Sequence, residues 1–348
     1  MLFNVEIDIG EKIIGYLVPD SFSGRAEIVV TRGEEELLRK PTSDPRGALV
    51  TAGRHESGLC GFEIDETMIP GLNGIEELEI RDAESGIIIF RRRRPERLVH
   101  QKMFRLETQL LPLLRLDQAM QGHFQFYFPS IERYGLETTH QMFLMNGTES
   151  VFASGRMSHK SIEYYLGQGY KTIALIRDPF EELAERVLVL RQIAETDRNF
   201  LGMRDAVLFE AATLFSCELQ LEQDKNLKRA FKHITPEVAA VLGDPLVRQL
   251  TTRLPDEPVT VSSVSAALDV LASFETVGLR SQPNTFLEAV AEGLLISLEE
   301  FPSIDPIPVT RELALRLKAC PPVEALLEHD LLLYDQIRTA FEKSGSEG

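Results

Sequence analysis

Tryptophan is missing from the 348 residues, which by itself excludes no fold. Cysteine is scarce. Cys60, Cys217 and Cys320 lie far apart, with no CxxC pair and no metal-ligand spacing. That excludes a zinc ribbon or a dithiol redox motif and fits reduced thiols in a cytoplasmic protein. Basic residues are few. Lys plus Arg number 37 against 54 Asp plus Glu, a formal net charge of −17. A chain this acidic lacks the basic surface that broad nucleic-acid binding requires, although a local basic pocket is compatible with it. No apolar run approaches the ~18 residues of a membrane helix. Met1–Gly10 alternates apolar residues with Asn4, Glu6 and Asp8, unlike a secretory leader, so a cytoplasmic location is expected. Also missing are GxGxxG before a helix, GxxxxGK[ST], HExxH and GxSxG. Nucleotide hydrolysis, zinc proteolysis and standard hydrolase chemistry lose support with them.

What is present is ordinary globular composition, 43% hydrophobic and 26% charged, at a length suited to about two domains. Residues 1–94 predict a small all-β sandwich. Phe3, Val5, Ile7 and Ile9 alternate with polar residues, the period of a half-buried strand. Short strands are expected at 13–18, 26–31, 59–64, 77–81 and 86–90, separated by turn formers such as Pro19-Asp20, Arg32-Gly33 and Ser85-Gly86. Arg91–Arg94 and Pro95 read as a boundary: a solvated linker or helix start, or else a docking patch for an anionic glycan or lipid.

From residue 95 to 343 the period changes. Leu98, Met103, Leu106, Leu110, Leu113, Leu114 and Leu116 predict a helix broken near Pro112. His123–Phe128 (HFQFYF) reads as the first strand of a new sheet. Further strands are expected at 150–154, 171–176 and 259–261, with helices at 158–167, 179–194 and 263–277. Residues 200–255 read as mostly helical, as do 284–343 outside the Pro-rich stretch 302–308. Strands alternating with helices imply an α/β fold: a P-loop-like parallel sheet with helices on both faces. Residues 344–348 read as a disordered tail.

Lys171–Val187 (KTIALIRDPFEELAERV) is the most informative segment. A buried strand runs into Arg177, and Asp178-Pro179 starts a helix. Ligands of such sheets sit at the carboxyl ends of strands. Arg177 therefore either holds a phosphate beside the helix N-terminus or pairs with a carboxylate and orients the turn.

Strand-Arg-Asp-Pro-helix, preceded by Gly169-Tyr170, resembles the phosphate-binding segment of Golgi and bacterial carbohydrate sulfotransferases. Val264–Leu279 (VSAALDVLASFETVGL) with Phe286 and Leu287 is similar to a late strand-helix region of that family. Leu326–Phe341 (LLEHDLLLYDQIRTAF) is similar to its C-terminal helix. The likeness spans roughly residues 120–343. It implies 3′-phosphoadenosine 5′-phosphosulfate as sulfuryl donor, a hydroxyl of a bacterial polysaccharide or its precursor as acceptor, and no metal. The family's Pro-Lys-x-Gly-Thr-type loop corresponds to Pro129–Thr139. The resemblance thus implies donor contacts from Ser130, Arg133, Gly135, Thr138 and Thr139, with Arg177 on the 3′-phosphate. It implies His140 or Glu132 as the base, with His123, His159 and Glu137 nearby.

Two departures stand out. The loop lacks the family's Lys, whose charge Arg133 would supply. Glu185 stands where the family has a phosphate-binding Ser. The alternative implied by both is a degenerate fold without donor binding, serving as a glycan-binding or polysaccharide-assembly partner. Gly15–Asp20 (GYLVPD), Asp44–Arg46 (DPR) and Gly58–Ile64 (GLCGFEI) resemble a small β-domain attached to bacterial glycosyltransferases, which again implies polysaccharide work.

Overall fold

A computed structural model describes residues 1–93, 98–145, 148–196 and 201–346. The Arg94-Pro95 part of the expected boundary lies outside the described residues. So do residues 347–348 of the expected tail. Residues 344–346 instead continue the helix Glu328–Ser346.

The N-terminal strands alternate as their sequences do. One antiparallel sheet has the order β1 (Leu2–Asp8), β2 (Lys12–Val18), β6 (Leu59–Asp65), β5 (Asp44–Pro45). The other runs β4 (Glu35–Pro41), β3 (Glu27–Arg32), β7 (Leu78–Asp82), β8 (Ile88–Arg92). Each buries one apolar row: Phe3, Ile13, Leu17, Phe62 and Ile64 in the first, Ile28, Val30, Leu78 and Ile80 in the second. Sequence periodicity misses β4 because it is an edge strand rich in charge and ending in Pro, which protects a sheet edge.

Arg91 and Arg92 are not a linker or docking patch. They belong to β8, and Arg91 is fully buried. It donates to the Gln121 and Phe124 carbonyls at 3.1 Å and pairs with Glu79 at 2.5 Å.

The third sheet has five strands in the order β10 (Phe126–Phe128), β11 (Val151–Gly155), β9 (Lys102–Leu106), β12 (Tyr170–Ile176), β13 (Thr276–Leu279). Phe126 to Phe128 pairs in parallel with Val151 to Ala153, and Ile173 to Ile176 with Thr276 to Leu279. β11 is buried at every residue and β12 at all but Lys171, the signature of a sheet covered on both faces. The α/β class expected from sequence is the one the chain adopts.

Three local expectations need correction. The stretch 98–116 is not a helix. It holds β9, the middle strand, followed by a loop and a short helix at Leu114–Met120. The Leu spacing imitates a helical stripe because a strand buried on both faces loses its alternation. Residues 259–261 are not a strand, since Thr260 caps the helix Val261–Ala272 in a capping box with Ser263. The strand is β13, which sequence reading absorbed into the end of that helix. Its Gly278 is needed for close packing: a Cβ there would come within 2.5 Å of the Phe286 side chain. Finally, β9 precedes β10 in the chain, so the segment 123–128 supplies the second strand of this sheet and not its first.

The contacts divide the chain into two compact units. One comprises residues 1–102 and 120–153, the other 103–119 and 154–348.

Candidate functional site

Ser130 to His140 lie in the first unit. Ser130 takes a left-handed backbone (φ 53°) before a single turn of 3-10 helix at Ile131–Arg133. Gly135 precedes the helix Leu136–Phe143. Thr139 turns its hydroxyl back, donating to the carbonyls of Ile131 at 3.1 Å and Gly135 at 3.2 Å. The Thr138 hydroxyl accepts from the Met1 amino group at 2.7 Å and donates to Asp20 at 3.2 Å. Both hydroxyls expected to hold phosphate are thus engaged by the chain itself. Arg133 is exposed, Glu132 is buried and His140 is half-buried. Arg177 belongs to the second unit.

Within the second unit, the carboxyl ends of β9, β12 and β13 carry a charged cluster that sequence reading largely missed. After β9 comes Glu107-Thr108-Gln109-Leu110-Leu111-Pro112-Leu113. In a parallel sheet the loop after a middle strand is where main-chain amides collect an anion. Here the anions are the protein's own carboxylates. Glu107 accepts from the amides of Gln109 at 3.2 Å and Leu113 at 2.9 Å. Glu182 accepts from Leu110 at 3.2 Å, and Glu185 from Leu111 at 3.4 Å. All three glutamates are buried.

Asp178 fixes the helix Pro179–Glu195 that delivers two of them. Its carboxylate accepts from Phe180 at 2.9 Å and Glu181 at 3.3 Å, with Pro179 in the first helical position, as the sequence predicted. Glu182 and Glu185 are three apart on this helix and so share one face. Glu185 forms an ion pair with Arg177, Glu182 lies 3.8 Å from it, and Glu182 also takes Arg186 at 2.7 Å. Arg177 therefore takes the carboxylate-pairing role. Burial opposes its charge, but Glu185 and Glu182 outweigh that and hold its pKa above the ordinary arginine value. Burial and then Glu182 push Glu185 up to about 7, with Arg177 pulling the other way.

Beneath the loop, Arg105 clasps Asp117 through two bonds of 2.6 and 2.8 Å and Glu107 at 2.8 Å. Ser154 donates to Asp117 at 2.7 Å. Arg156 pairs with Asp205 and donates to the Leu110 carbonyl at 3.0 Å. Ser158 donates its hydroxyl to the Thr252 carbonyl. The sequence signal for this arrangement was Arg105 and Glu107 standing inside an apolar stretch.

A scan against protein-family models finds no match, and no curated protein matches the chain. Among solved structures the chain is similar to a sulfotransferase from Alicyclobacillus acidocaldarius. The identity is 14%, with 66% of this chain and 95% of that one covered at a TM-score of 0.33. A likeness of that size assigns neither family nor activity. Among the described residues, no helix is long and apolar enough to cross a membrane, and no group of three or more His, Cys, Asp or Glu could hold a metal ion.

Proposed function

We propose that this chain is a sulfotransferase-type protein that serves as a carbohydrate-binding or polysaccharide-assembly partner, without using 3′-phosphoadenosine 5′-phosphosulfate as a donor. The observation that supports this reading is the loop after β9, whose amides at Gln109, Leu110, Leu111 and Leu113 are held by Glu107, Glu182 and Glu185. The residues present do not fit the donor. A phosphate at Arg177 would have to displace Glu185 or face it. Like charges ~4 Å apart cost about 4 kcal/mol at an effective dielectric near 20. The carbohydrate rests on the resemblances of the N-terminal strands and of the Arg-Asp-Pro segment. The net charge of −17 supports a partner other than nucleic acid.

The test is thermal unfolding with adenosine 3′,5′-bisphosphate, the desulfated donor, at pH 8. No shift at millimolar ligand is expected. A ligand at 100 times its Kd adds about 2.7 kcal/mol, or roughly 5–10 °C in a domain of this size. A rise of that order, abolished in Arg177→Ala, overturns the proposal.

One observation favours a second reading, sulfuryl transfer to a polysaccharide hydroxyl. Burial and then Glu182 push the Glu185 carboxyl up to about 7, and a protonated carboxyl would not neutralise Arg177. In that case the nucleotide stabilises the protein near pH 6 and not at pH 8.

A further inference from the structure

A second cation stands beside Arg177 with a different fate. Arg280 follows β13 directly, as Arg177 follows β12, and the two strands are paired. Arg177 spends its charge on Glu185. Arg280 has no carboxylate within ion-pair distance among the described residues. Its Nη2 donates to the Asp305 carbonyl at 3.0 Å, while its Nη1 is buried without a hydrogen-bond partner. Burial and then the neighbouring Arg177 charge lower its pKa to about 10.

Arg280 lines a cleft of about 200 Å³ with Arg177, Arg311, Ser281, Thr310 and Tyr334. That volume is below the ~300 Å³ of the smallest drug-sized sites, so it suits a small charged group rather than a nucleoside. Two acidic residues also line it, but both are committed. Asp178 caps its helix, and Glu181 lies 3.6 Å from Arg311. The cleft also receives the first turns of two helices, Pro179–Glu195 and Pro308–Lys318, whose dipoles favour negative charge. A half-buried guanidinium with an unused donor stands next to a second cation, and Glu185, Glu107 and Glu181 act on it only from beyond ion-pair distance.

We infer that this cleft binds a tetrahedral oxyanion, the phosphate or sulfate ester group of a small ligand, with Arg280 as its principal contact. With Nη2 held by the Asp305 carbonyl, the guanidinium offers such a group its charge and the N–H donors of Nη1. Only the identity of the ester's carrier, a sugar, rests on the function proposed above. The oxyanion site stands on the cleft.

Calorimetric titration tests it, using inorganic phosphate, inorganic sulfate, glucose 6-phosphate and glucose 6-sulfate as separate probes. Saturable binding of at least one probe in the millimolar range or tighter is expected, weakened about tenfold or more in Arg280→Ala. In Arg280→Lys it is only partly weakened, because charge remains without the guanidinium. Preference between the phosphate and sulfate arms identifies the ester, and tighter binding of the sugar esters than of the free ions supports the carbohydrate. If Arg280→Ala does not fold, wild-type protein is labelled with phenylglyoxal and mapped by mass spectrometry. The bound oxyanion then protects Arg280 from the reagent. Absence of binding by all four probes, binding indifferent to Arg280→Ala, or failure to protect Arg280 overturns the inference. Nucleotide binding that needs Arg177, with these results intact, would overturn the function proposed above and leave the oxyanion site standing.

Discussion

Glu185 and Arg177 are both buried, and each is the other's main compensation. Glu185→Ala leaves Arg177 with only the more distant Glu182 and removes the acceptor of the Leu111 amide. Breaking a buried pair from one side costs about 3–5 kcal/mol, so a loss of that size is expected in urea unfolding at neutral pH. Proton linkage gives a second prediction. Burial and then Asp244 raise Asp330 to about 7, and burial and then Glu182 raise Glu185 to about 7. Unfolded carboxyls titrate near 4. Between those values the folded chain binds more protons than the unfolded one, so these two groups contribute stability that is full below about pH 4 and lost as pH rises through about 7. Asp330 accepts from the amides of Leu246 at 3.0 Å and Val247 at 2.8 Å, which an Asn can still accept in part. Asp330→Asn is therefore expected to flatten the fall in Tm between about pH 5 and pH 8. A slope equal to that of the wild type would show that Asp330 does not carry the effect.

At the scale of elements, Asp178 is the cap most exposed to test. Asp178→Ala removes two acceptor contacts at the start of Pro179–Glu195 and should cost about 1 kcal/mol, at most about 2, in denaturant unfolding. That helix was legible because cap, proline and apolar face agree within a few residues. β12 was legible from its continuous apolar run. β9 was not, because its four buried residues in a row and the Leu spacing beyond it satisfy a helix as well as a strand. With β9 unread, the segment 123–128 reads as the first strand, and the loop expected to hold phosphate is the one that follows it. The strand-to-helix turn at Arg177-Asp178-Pro179 is legible, yet what Arg177 touches is beyond the sequence. Glu182 and Glu185 meet Leu110 and Leu111 across more than 70 positions, and no local pattern encodes such a meeting. Arg280 was invisible for the same reason, since its significance lies in what does not accompany it.

Taken as a whole, neither compact unit is a single stretch of chain. Residues 120–153 belong with 1–102, and residues 103–119 belong with 154–348. Within the first unit, Arg91 is anchored by the Gln121 and Phe124 carbonyls, and Gln141 donates to the Phe3 carbonyl at 3.0 Å. A fragment ending at residue 94 loses these partners. It is expected to melt below the intact chain, which thermal unfolding of residues 1–94 followed by circular dichroism would check.

The interleaving also has a consequence during synthesis. The segment that carries Arg105, Glu107 and Asp117 is made before Ser154, Glu182 and Glu185. At ~5–20 residues per second the wait for Glu185 is on the order of several seconds. Throughout it, the nascent chain carries a strand with apolar residues on both sides and no neighbours from the second unit to cover it. The first unit, by contrast, has all its residues once position 153 has emerged. Slower synthesis across residues 118–185 is therefore expected to lower the yield of folded protein, which expression with rare codons placed in that stretch would check.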